Sequence, residues 1–387
     1  MTNDEGKTLI FTDIHFGIHG NSEKYLAICK DTMKWITRLC EEQSIQNVVF
    51  MGDFFDSRSS IDVKTICYAS EALNELSRVV RRVYMILGNH DIYLRDSTDI
   101  HSLSAYGCNS NIKIISEPFF ENGYAFLPWG YGTASRTANV PRGTNCVFMH
   151  HDFPKSFFFG NGGRNRTAVS DTSVEDRYSE LNMDVGMIEE VSANGGFIFS
   201  GHVHKRRQIP IGELSLITIL GSPYETEYGF GDTSCGVCIY SNQTGAFDFV
   251  ENPYNKRHVE ICASDYWDVS KGIDFSNCFV RLNVDVQMTF DDISKIQNDI
   301  KSRNPYSVLN TVFDFDDCQF VGSRDTTKNP TDTLHKGVTS KIEYILRSID
   351  STDFSGFTSV EDGKSVVVDK DVLKALATSY FEKLTTK

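Results

Sequence analysis

The sequence lacks any long hydrophobic run and any secretion signal. Its 387 residues contain no apolar stretch that approaches the length of roughly 20 residues that a helix needs to cross a bilayer. The N-terminus, Met1–Glu5, is acidic, whereas a signal peptide begins with basic residues. Internal repeats and low-complexity tracts are also missing. These absences predict a protein without a membrane segment, placed in the cytoplasm of a cell or, for a viral protein, of its host.

The ten cysteines lack the spacing of a disulfide framework. Several lie inside apolar runs, as Cys67, Cys146 and Cys278 do, which predicts reduced thiols in the core of an intracellular protein. Cys235 and Cys238 form a CxxC pair, but no second pair exists to complete a zinc site. We therefore interpret this pair as core residues.

The chain also has no excess of basic residues. Its 38 Lys and Arg against 52 Asp and Glu leave a formal net charge of −14, which argues against a protein that coats nucleic acid through overall charge. An enzyme that acts on nucleic acid is still allowed, because metal ions cancel acidic charge at a site and basic residues can cluster. Lys205–Arg207 is one such cluster, and Arg164 with Arg166 is another.

The first part of the chain alternates apolar strands with amphipathic helices. Strands are predicted over Lys7–Thr12, Asn47–Met51 and Val83–Leu87, with helices over Tyr25–Gln43 and Val63–Val79 between them. This βαβαβ order indicates an α/β fold with a largely parallel, layered sheet. Active residues are then expected at the carboxyl ends of its strands.

The whole chain has 387 residues, which is long enough for two domains. The part that follows the βαβαβ segment shows weaker patterns. We expect a β-meander over Asn111–Pro128, a strand over Cys146–Met149, a mobile loop over Pro154–Asp176, strands over Phe197–Ser200, Ser215–Leu220, Gly236–Tyr240 and Ala246–Val250, a domain edge at Pro253–Arg257, a strand over Cys278–Val286, a helix over Phe290–Ile300, a strand over Asn310–Asp317, a linker over Asp325–His335, and helices over Ser340–Ile349 and Asp369–Leu384.

Five polar clusters follow the ends of predicted strands. They are Asp13-Ile14-His15, Gly52-Asp53-Phe54-Phe55-Asp56, Gly88-Asn89-His90-Asp91, His150-His151 and Gly201-His202-Val203-His204. Each cluster alone has a structural explanation, as a helix cap, a turn or a set of core histidines. Together at strand ends they supply Asp, Asn and His ligands for two ions, which suits Mn, Fe or Zn better than Ca or Mg. Two such ions about 3.5–4 Å apart promote in-line attack on phosphorus.

The fourth cluster leaves its ligand open. Neighbouring side chains of an extended segment point to opposite faces, so only one of His150 and His151 is expected to bind metal. Both remain candidates, and His150 is favoured because it follows directly on the apolar run.

These motifs resemble those of the calcineurin-like metallophosphoesterase superfamily. Within it the chain is similar to the SbcD-type nuclease subunits of DNA repair and phage recombination. The resemblance covers residues 7–260 and is carried, besides the DxH motif, by GDFFDSR (Gly52–Arg58), LGNHD (Leu87–Asp91), SGHVHKRRQ (Ser200–Gln208) and ILGSPYETEYG (Ile219–Gly229).

The resemblance implies a fold and a domain order. The fold would be α/β: a two-sheet layered core, a β sandwich flanked by helices, followed by a small α+β capping domain and C-terminal helices. The implied domains are a nuclease domain at 1–256, a capping and DNA-binding domain at 257–335, and a helical ATPase-docking segment at 336–387.

The resemblance also implies roles for individual residues. One metal would be held by Asp13, His15, Asp53 and His204, and the second by Asp53, Asn89, His202 and either His150 or His151. His90 would be the catalytic residue that contacts the scissile phosphate and assists the leaving oxygen. The two ions would be divalent, Mn²⁺ first, with Fe²⁺, Zn²⁺ and Mg²⁺ as alternatives.

The function implied is that of a Mn-dependent DNA exonuclease and endonuclease subunit. It would act on double-stranded DNA ends, and on single strands as a further option, together with an SbcC-like coiled-coil ATPase. It would be a homodimer held by helices around Val63–Val79 and Asp96–Tyr106. Two rival hypotheses are a small-molecule phosphodiesterase or phosphatase of the same superfamily, and a non-enzymatic, metal-stabilised scaffold for the ATPase.

Overall fold

A computed structural model supplies the coordinates of the chain. It describes residues 6–94, 97–131, 138–152, 185–193, 195–211, 215–286, 288–313, 346, 349–350, 358–361, 364–367 and 370–385. The chain divides into two compact units, Met1–Lys256 and Arg257–Lys387. The predicted loop over residues 154–176, the linker over 325–335 and most of the helix over 340–349 lie outside the described residues.

The first unit contains fourteen strands and four helices among its described residues. The strands are β1 (Lys7–Phe11), β2 (Ile45–Phe50), β3 (Arg82–Ile86), β4 (Ile92–Leu94), β5 (Ser97–His101), β6 (Ile112–Ile115), β7 (Phe119–Glu121), β8 (Tyr124–Leu127), β9 (Cys146–His150), β10 (Phe197–Gly201), β11 (Arg207–Ile211), β12 (Ser215–Ile219), β13 (Gly236–Ser241) and β14 (Ala246–Glu251). The helices are α1 (Ile18–Asn21), α2 (Glu23–Glu42), α3 (Val63–Val79) and α4 (Val185–Ala193), with a 3₁₀ helix at Ser102–Cys108.

Two six-stranded sheets form the core of this unit. One has the order β14-β13-β1-β2-β3-β6. Its strands β1, β2, β3 and β6 are parallel, β13 is antiparallel to β1, and β14 is antiparallel to β13. The other has the order β11-β12-β10-β9-β8-β7, with only its edge strands β11 and β7 antiparallel. The predicted two-sheet layered core is therefore confirmed.

The sheets face each other across an apolar layer. Residues from β1, β2 and β3 meet residues from β8, β9 and β10 in one buried cluster, with Val49 and Tyr84 on one side and Phe126, Phe148 and Phe199 on the other. The first three strands are buried almost throughout, because parallel strands are covered on both faces. The five polar clusters predicted from the sequence follow the carboxyl ends of β1, β2, β3, β9 and β10.

Two predictions about residues 96–128 are wrong. Asn111–Pro128 is not a meander, because β6 joins the first sheet while β7 and β8 form a hairpin in the second. Short apolar runs carry no information on which sheet they join. Asp96–Tyr106 is not a helix: from Ser97 the chain forms β5 and then the 3₁₀ helix. Leu103 and Tyr106 are three residues apart, and that spacing fits a 3₁₀ turn as well as an α-helix.

The second unit has its own small sheet and core. Its elements are β15 (His258–Cys262), α5 (Tyr266–Val269), a 3₁₀ turn at Ser270–Gly272, β16 (Phe279–Val284), α6 (Phe290–Ser302), β17 (Ser307–Phe313), β18 (Thr358–Glu361), β19 (Lys364–Val367) and α7 (Lys370–Thr385). Strands β15, β16 and β17 are parallel, and Ile293, Ile296 and Ile300 of α6 pack against the sheet. The predicted helices near residues 290–300 and 369–384 are confirmed as α6 and α7.

The described cysteines are free thiols, and Cys235 and Cys238 are buried, as expected for core residues. None of the helices in the described ranges is both long and apolar enough to cross a membrane.

Candidate metal centre

The loop after β1 lies directly beside the loop after β2. The amide of Asp13 donates to the carbonyl of Gly52 at 3.0 Å, and the amide of His15 to the carbonyl of Asp53 at 3.1 Å. Asp13, His15 and Asp53 all have positive φ, at 52°, 47° and 61°. A left-handed backbone conformation costs about 1–2 kcal/mol per non-glycine residue. It is typical of functional sites, where the surrounding contacts stabilise it.

The loops after β2 and β3 also approach each other closely, and glycine permits it. A Cβ on Gly52, at φ 100°, would lie 2.5 Å from Nδ1 of His150 and 2.8 Å from Cα of Gly88. A Cβ on Gly88 would lie 2.2 Å from Oδ1 of Asp53. Side chains at these positions would push the strand ends apart and separate the polar clusters that follow them.

Asp91, the last residue of the third motif, fastens these two loops together. Its carboxylate accepts hydrogen bonds from the amides of Asp53 at 2.8 Å, Phe54 at 2.9 Å and Gly88 at 2.9 Å. Burial and the nearby charge of Asp53 raise the pKa of Asp91 to about 6, although the three amides favour its ionised form. The motif thus contributes a structural carboxylate beside Asn89 and His90.

One group of polar atoms surrounds a point between the first, second and fifth motifs. Nε2 of His15 lies 3.7 Å from Oδ1 of Asp13, 3.8 Å from Oδ2 of Asp53 and 3.0 Å from Nε2 of His204. Among the described residues Oδ1 of Asp13 has no hydrogen-bond partner, whereas the hydroxyl of Thr12 donates to Oδ2 at 2.6 Å. Separations of 3–4 Å suit ligands that share one cation.

A second group lies on the other side of Asp53. Oδ2 of Asp53 is 3.3 Å from Nε2 of His150. The side-chain oxygen of Asn89 is 3.1 Å from the same nitrogen and 2.8 Å from Nδ1 of His202. Oδ2 of Asp53 takes part in both groups, so this carboxylate could serve a cation held in either one.

The electrostatics of the two groups fit cations. Burial disfavours the charged forms of His15 and His150, yet the adjoining carboxylates outweigh it and raise their pKa values to about 10 and about 9. Burial likewise disfavours the Asp53 carboxylate, but the charge of His150 lowers its pKa below the usual range. The carboxylates thus stabilise positive charge on the rings of His15 and His150. In their neutral forms the same two rings could bind metal ions. The donor set fits divalent ions held by nitrogen and oxygen.

The structure separates the two histidines of the fourth motif. His150 lies within the second group, and its Nδ1 donates to the carbonyl of Met51 at 2.7 Å, which directs Nε2 towards Asp53. His151 is buried, but it is absent from the groups of potential metal ligands found among the described residues. His150 is the last residue of β9 and His151 lies just beyond it, so the two side chains leave the backbone in different directions.

His90 lies next to the first group. Its ring contacts that of His15 edge to face, with 5.1 Å between ring centroids, and its Nδ1 donates to the carbonyl of Asp56. Its amide donates to Oδ1 of Asp53 at 2.8 Å. The half-buried imidazole is therefore held beside the centre by its own backbone and by one ring nitrogen.

The basic cluster after the fifth motif is engaged inside the unit. The ammonium of Lys205 donates to the carbonyl of Gly229, and the guanidinium of Arg206 lies over the ring of Phe249, 4.0 Å from its centroid. Arg207 is half-buried in β11. The cluster is thus less available to a polyanion than its sequence predicts.

Sequence patterns missed two residues that contact the candidate ligands. Oγ1 of Thr226 lies 3.0 Å from Nδ1 of His204, and Oδ1 of Asp152 lies 3.4 Å from Nε2 of His202. Asp152 follows the fourth motif directly, so a search for carboxylates near it could have found it. Thr226 lies within the ILGSPYETEYG segment that carries part of the resemblance, but nothing in that segment distinguishes this threonine from any polar loop residue.

The similarity to known proteins covers the stretch of the chain that carries the five motifs. The profile of the calcineurin-like phosphoesterases matches residues 6–206. Exonuclease subunit 1 of Enterobacteria phage T4 is 22% identical over 331 residues, which cover 81% of this chain and 88% of that protein.

Two solved structures show a weak similarity to the chain. A nuclease MPE from Pseudomonas putida is 14% identical with a TM-score of 0.29, over 63% of this chain and 87% of its own. A dimetal phosphatase from Danio rerio is 12% identical with a TM-score of 0.32, over 61% and 92%. The assignment of the family rests on the profile, which spans just over half of the sequence. The chain belongs to the calcineurin-like phosphoesterase family, and it is a phosphoester-hydrolysing enzyme.

Proposed function

We propose that the protein is a Mn-dependent DNA nuclease subunit with a binuclear centre, acting as exonuclease and endonuclease in recombination or repair. The observation that carries the proposal is the shared carboxylate of Asp53, with two converging ligand groups on either side and His90 next to them. The similarity to exonuclease subunit 1 of phage T4 supports DNA as the substrate.

Each ion would have its own ligands in this proposal. Asp13, His15, Asp53 and His204 would hold one, and Asp53, Asn89, His150 and His202 the other; His151 would stay a buried neighbour. The mixture of nitrogen and oxygen favours Mn²⁺, with Fe²⁺, Zn²⁺ and Mg²⁺ as alternatives. Two divalent ions bound there act as Lewis acids for an in-line displacement at phosphorus.

The chain's own residues would position the phosphodiester and move a proton. His90 donates through Nδ1 to the carbonyl of Asp56, so Nε2 is the nitrogen left to face a substrate. Beside a bound phosphodiester, Nε2 would hydrogen-bond a phosphate oxygen and donate a proton to the departing sugar oxygen. The buried carboxylates of Asp13 and Asp53 would repel the substrate unless cations compensated them, so cleavage would require metal.

The partners are a second copy of the chain and a coiled-coil ATPase of the SbcC type. For the homodimer we propose the surface made by the start of α3 and the hairpin β4–β5. It exposes five large apolar side chains, with fractional exposures between 43% and 81%: Val63, Ile66, Tyr93, Leu94 and Ile100. A hydroxyl contact of 3.1 Å between Ser70 and Tyr106 joins α3 to the 3₁₀ helix that follows the hairpin.

The regions after the nuclease domain would serve binding. We propose that residues 257–335 form a capping and DNA-binding domain and that residues 336–387 dock the ATPase. The exposed Val372 and Leu376, on α7, support a helical docking element. A DNA substrate and free thiols fit the cytoplasm, of the cell or of an infected host.

The test is cleavage of an end-labelled linear DNA duplex with and without Mn²⁺. The wild type is compared with His90→Ala and with the control His101→Ala, which changes a half-buried histidine outside both ligand groups. Bis-p-nitrophenyl phosphate is the small control substrate. We expect Mn-dependent shortening of the duplex, lost in His90→Ala by a factor of about 100 or more and kept in His101→Ala.

The alternative function is a small-molecule phosphodiesterase, which the net charge of −14 and the engaged Lys205 and Arg206 favour. Hydrolysis of the small diester with intact DNA, even after addition of the ATPase, would decide for this alternative. Salt dependence is a second criterion, because contacts to DNA phosphates weaken steeply with salt whereas turnover of a small diester does not.

A further inference from the structure

The segment that follows β12 runs beside the loop of the fifth motif. The amide of Leu220 donates to the carbonyl of Ser200 at 3.0 Å, and the amide of Ser222 to the carbonyl of His204 at 2.9 Å. Four residues further on, Thr226 is almost fully buried, with 1% of its surface exposed. The segment thus brings a buried hydroxyl to the back of a candidate ligand.

Thr226 contacts two histidines with two different groups. Its Oγ1 lies 3.0 Å from Nδ1 of His204, and its carbonyl accepts a hydrogen bond from Nε2 of His19 at 2.7 Å. The opposite nitrogen of His204, Nε2, lies 3.0 Å from Nε2 of His15 and 3.9 Å from Oδ1 of Asp13. The ring of His204 is therefore held at one nitrogen and directed into the centre with the other.

The chemistry of imidazole makes this contact consequential. A neutral ring that binds a cation through Nε2 carries its proton on Nδ1, and that proton needs an acceptor away from the ion. We infer that Thr226 is a positioning residue for the metal ion held by His204: its hydroxyl accepts a hydrogen bond from Nδ1–H and thereby fixes both the tautomer and the orientation of the ring. The inference rests on the proposed binuclear centre.

The rest of the segment keeps Thr226 in place relative to the first motif. The hydroxyl of Tyr224 donates to the carbonyl of Ile14 at 2.8 Å, and Ile14 lies between Asp13 and His15 in the chain. The side-chain amide of Asn252 donates to the carbonyl of Pro223 at 2.8 Å. The hydroxyl of Thr226 and the ligands of the first group are thus held by one set of buried contacts.

The other histidines that direct Nε2 into the centre rely on different groups. Nδ1 of His150 donates to the backbone carbonyl of Met51 at 2.7 Å, and Nδ1 of His15 faces the carboxylate of Asp56 at 3.5 Å. Among the three described histidines that direct Nε2 into the centre, only His204 has a neutral side-chain hydroxyl as the partner of its Nδ1. Its removal by mutation changes one hydrogen bond and leaves every charge of the centre in place.

The test is Mn²⁺ binding by the full chain after removal of metal, measured by titration calorimetry and by the paramagnetic resonance signal of free Mn²⁺. Thr226→Val replaces the hydroxyl with a methyl of similar size, and Thr226→Ser keeps the hydroxyl. Thr218→Val is the matched control, because it alters a buried threonine of β12. Thr226→Ala also lacks the hydroxyl and serves if the valine variant does not fold.

We expect wild type to bind two ions and Thr226→Val to bind one of them about 10–100-fold more weakly, with the other unchanged. Thr226→Ser and Thr218→Val should both bind like wild type. Equal binding of both ions by Thr226→Val and wild type would overturn the inference and leave the centre intact. An equal loss in Thr226→Ser would also overturn it, since the hydroxyl would then not matter. Failure of wild type to bind any ion would overturn the centre and the inference with it.

Discussion

At the scale of single residues, the centre depends on side chains that bind no metal in the proposed scheme. Asp91 is the clearest case, because its buried carboxylate accepts three amides from the loops after β2 and β3. Those loops carry Asp53, Asn89 and His90. The spacing of the second and third motifs is thus set by one carboxylate.

Replacement of Asp91 by alanine should lower the free energy of unfolding by about 3 kcal/mol. The variant leaves the amides of Asp53, Phe54 and Gly88 buried without an acceptor, and each unsatisfied donor costs about 1–3 kcal/mol before the loops relax. Urea unfolding measures the change. Asp99→Ala, which removes an exposed carboxylate from β5, should stay within about 0.5 kcal/mol of wild type. Equal midpoints for both variants would contradict this role.

Metal binding should release protons and tighten as pH rises. The pKa values of His15 and His150 are raised to about 10 and about 9, so both rings carry a proton at pH 7 when no ion competes. A cation binds only the neutral ring, so each ion must displace such a proton. Affinity therefore falls as the pH falls below about 10 for the ion at His15 and below about 9 for the ion at His150. We expect release of about two protons per chain at pH 7. Calorimetry in buffers of different ionisation enthalpy measures the number of protons released. Release of no protons would show that metal binding does not displace the protons of these two rings.

At the scale of elements, helix ends are set by local side chains. Helix α6 begins after Thr289, whose Oγ1 accepts the amide of Asp292 at 3.2 Å and donates to its carboxylate at 2.7 Å. This arrangement satisfies one of the free amides at the helix start. The prediction of a helix over Phe290–Ile300 succeeded because the cap and the apolar spacing agree.

Thr289→Ala should weaken α6 by about 1 kcal/mol, the usual cost of a lost N-cap. Hydrogen exchange at the amides of the first turn of α6 should speed up about fivefold, while Thr289→Ser should exchange like wild type. Unchanged exchange in the alanine variant would mean that sheet packing alone holds the helix.

Other elements could not be predicted from local patterns. The apolar period of α2 and α3 is long enough to identify a helix, and the buried runs of β1, β2 and β3 identify central strands. The hairpin β4–β5 has too few residues for a period, and most of its apolar side chains are exposed. Because such a segment buries little of its own surface, its conformation depends on its neighbours.

At the scale of the whole molecule, the exposed apolar surface of α3 and the hairpin β4–β5 predicts association. Leu94→Glu places a charge on a side chain that is 54% exposed and would be buried between two copies. We expect the dimer dissociation constant to rise at least about 30-fold, equivalent to a contact of about 2 kcal/mol. Sedimentation equilibrium measures it.

The matched control is Val269→Glu, which adds the same charge to an exposed apolar position of the second unit and should leave association unchanged. A dimer equally weakened by both variants would mean that net charge, and not this surface, governs association. A wild-type chain that is monomeric at every concentration would contradict the proposed dimer.

Local sequence was enough to predict an α/β fold with a largely parallel sheet and the order of the five motifs, because short-range periodicity and the types of ligand residues can be read along the chain. The two-sheet core and the family followed from the resemblance that those motifs carry. Three-dimensional packing was needed to bring His150 rather than His151 to Asp53, to put Thr226 behind His204, and to engage Lys205 and Arg206 within the unit. These features join residues from different strands, and a contact between distant segments depends on how the sheets pack, which no local pattern records.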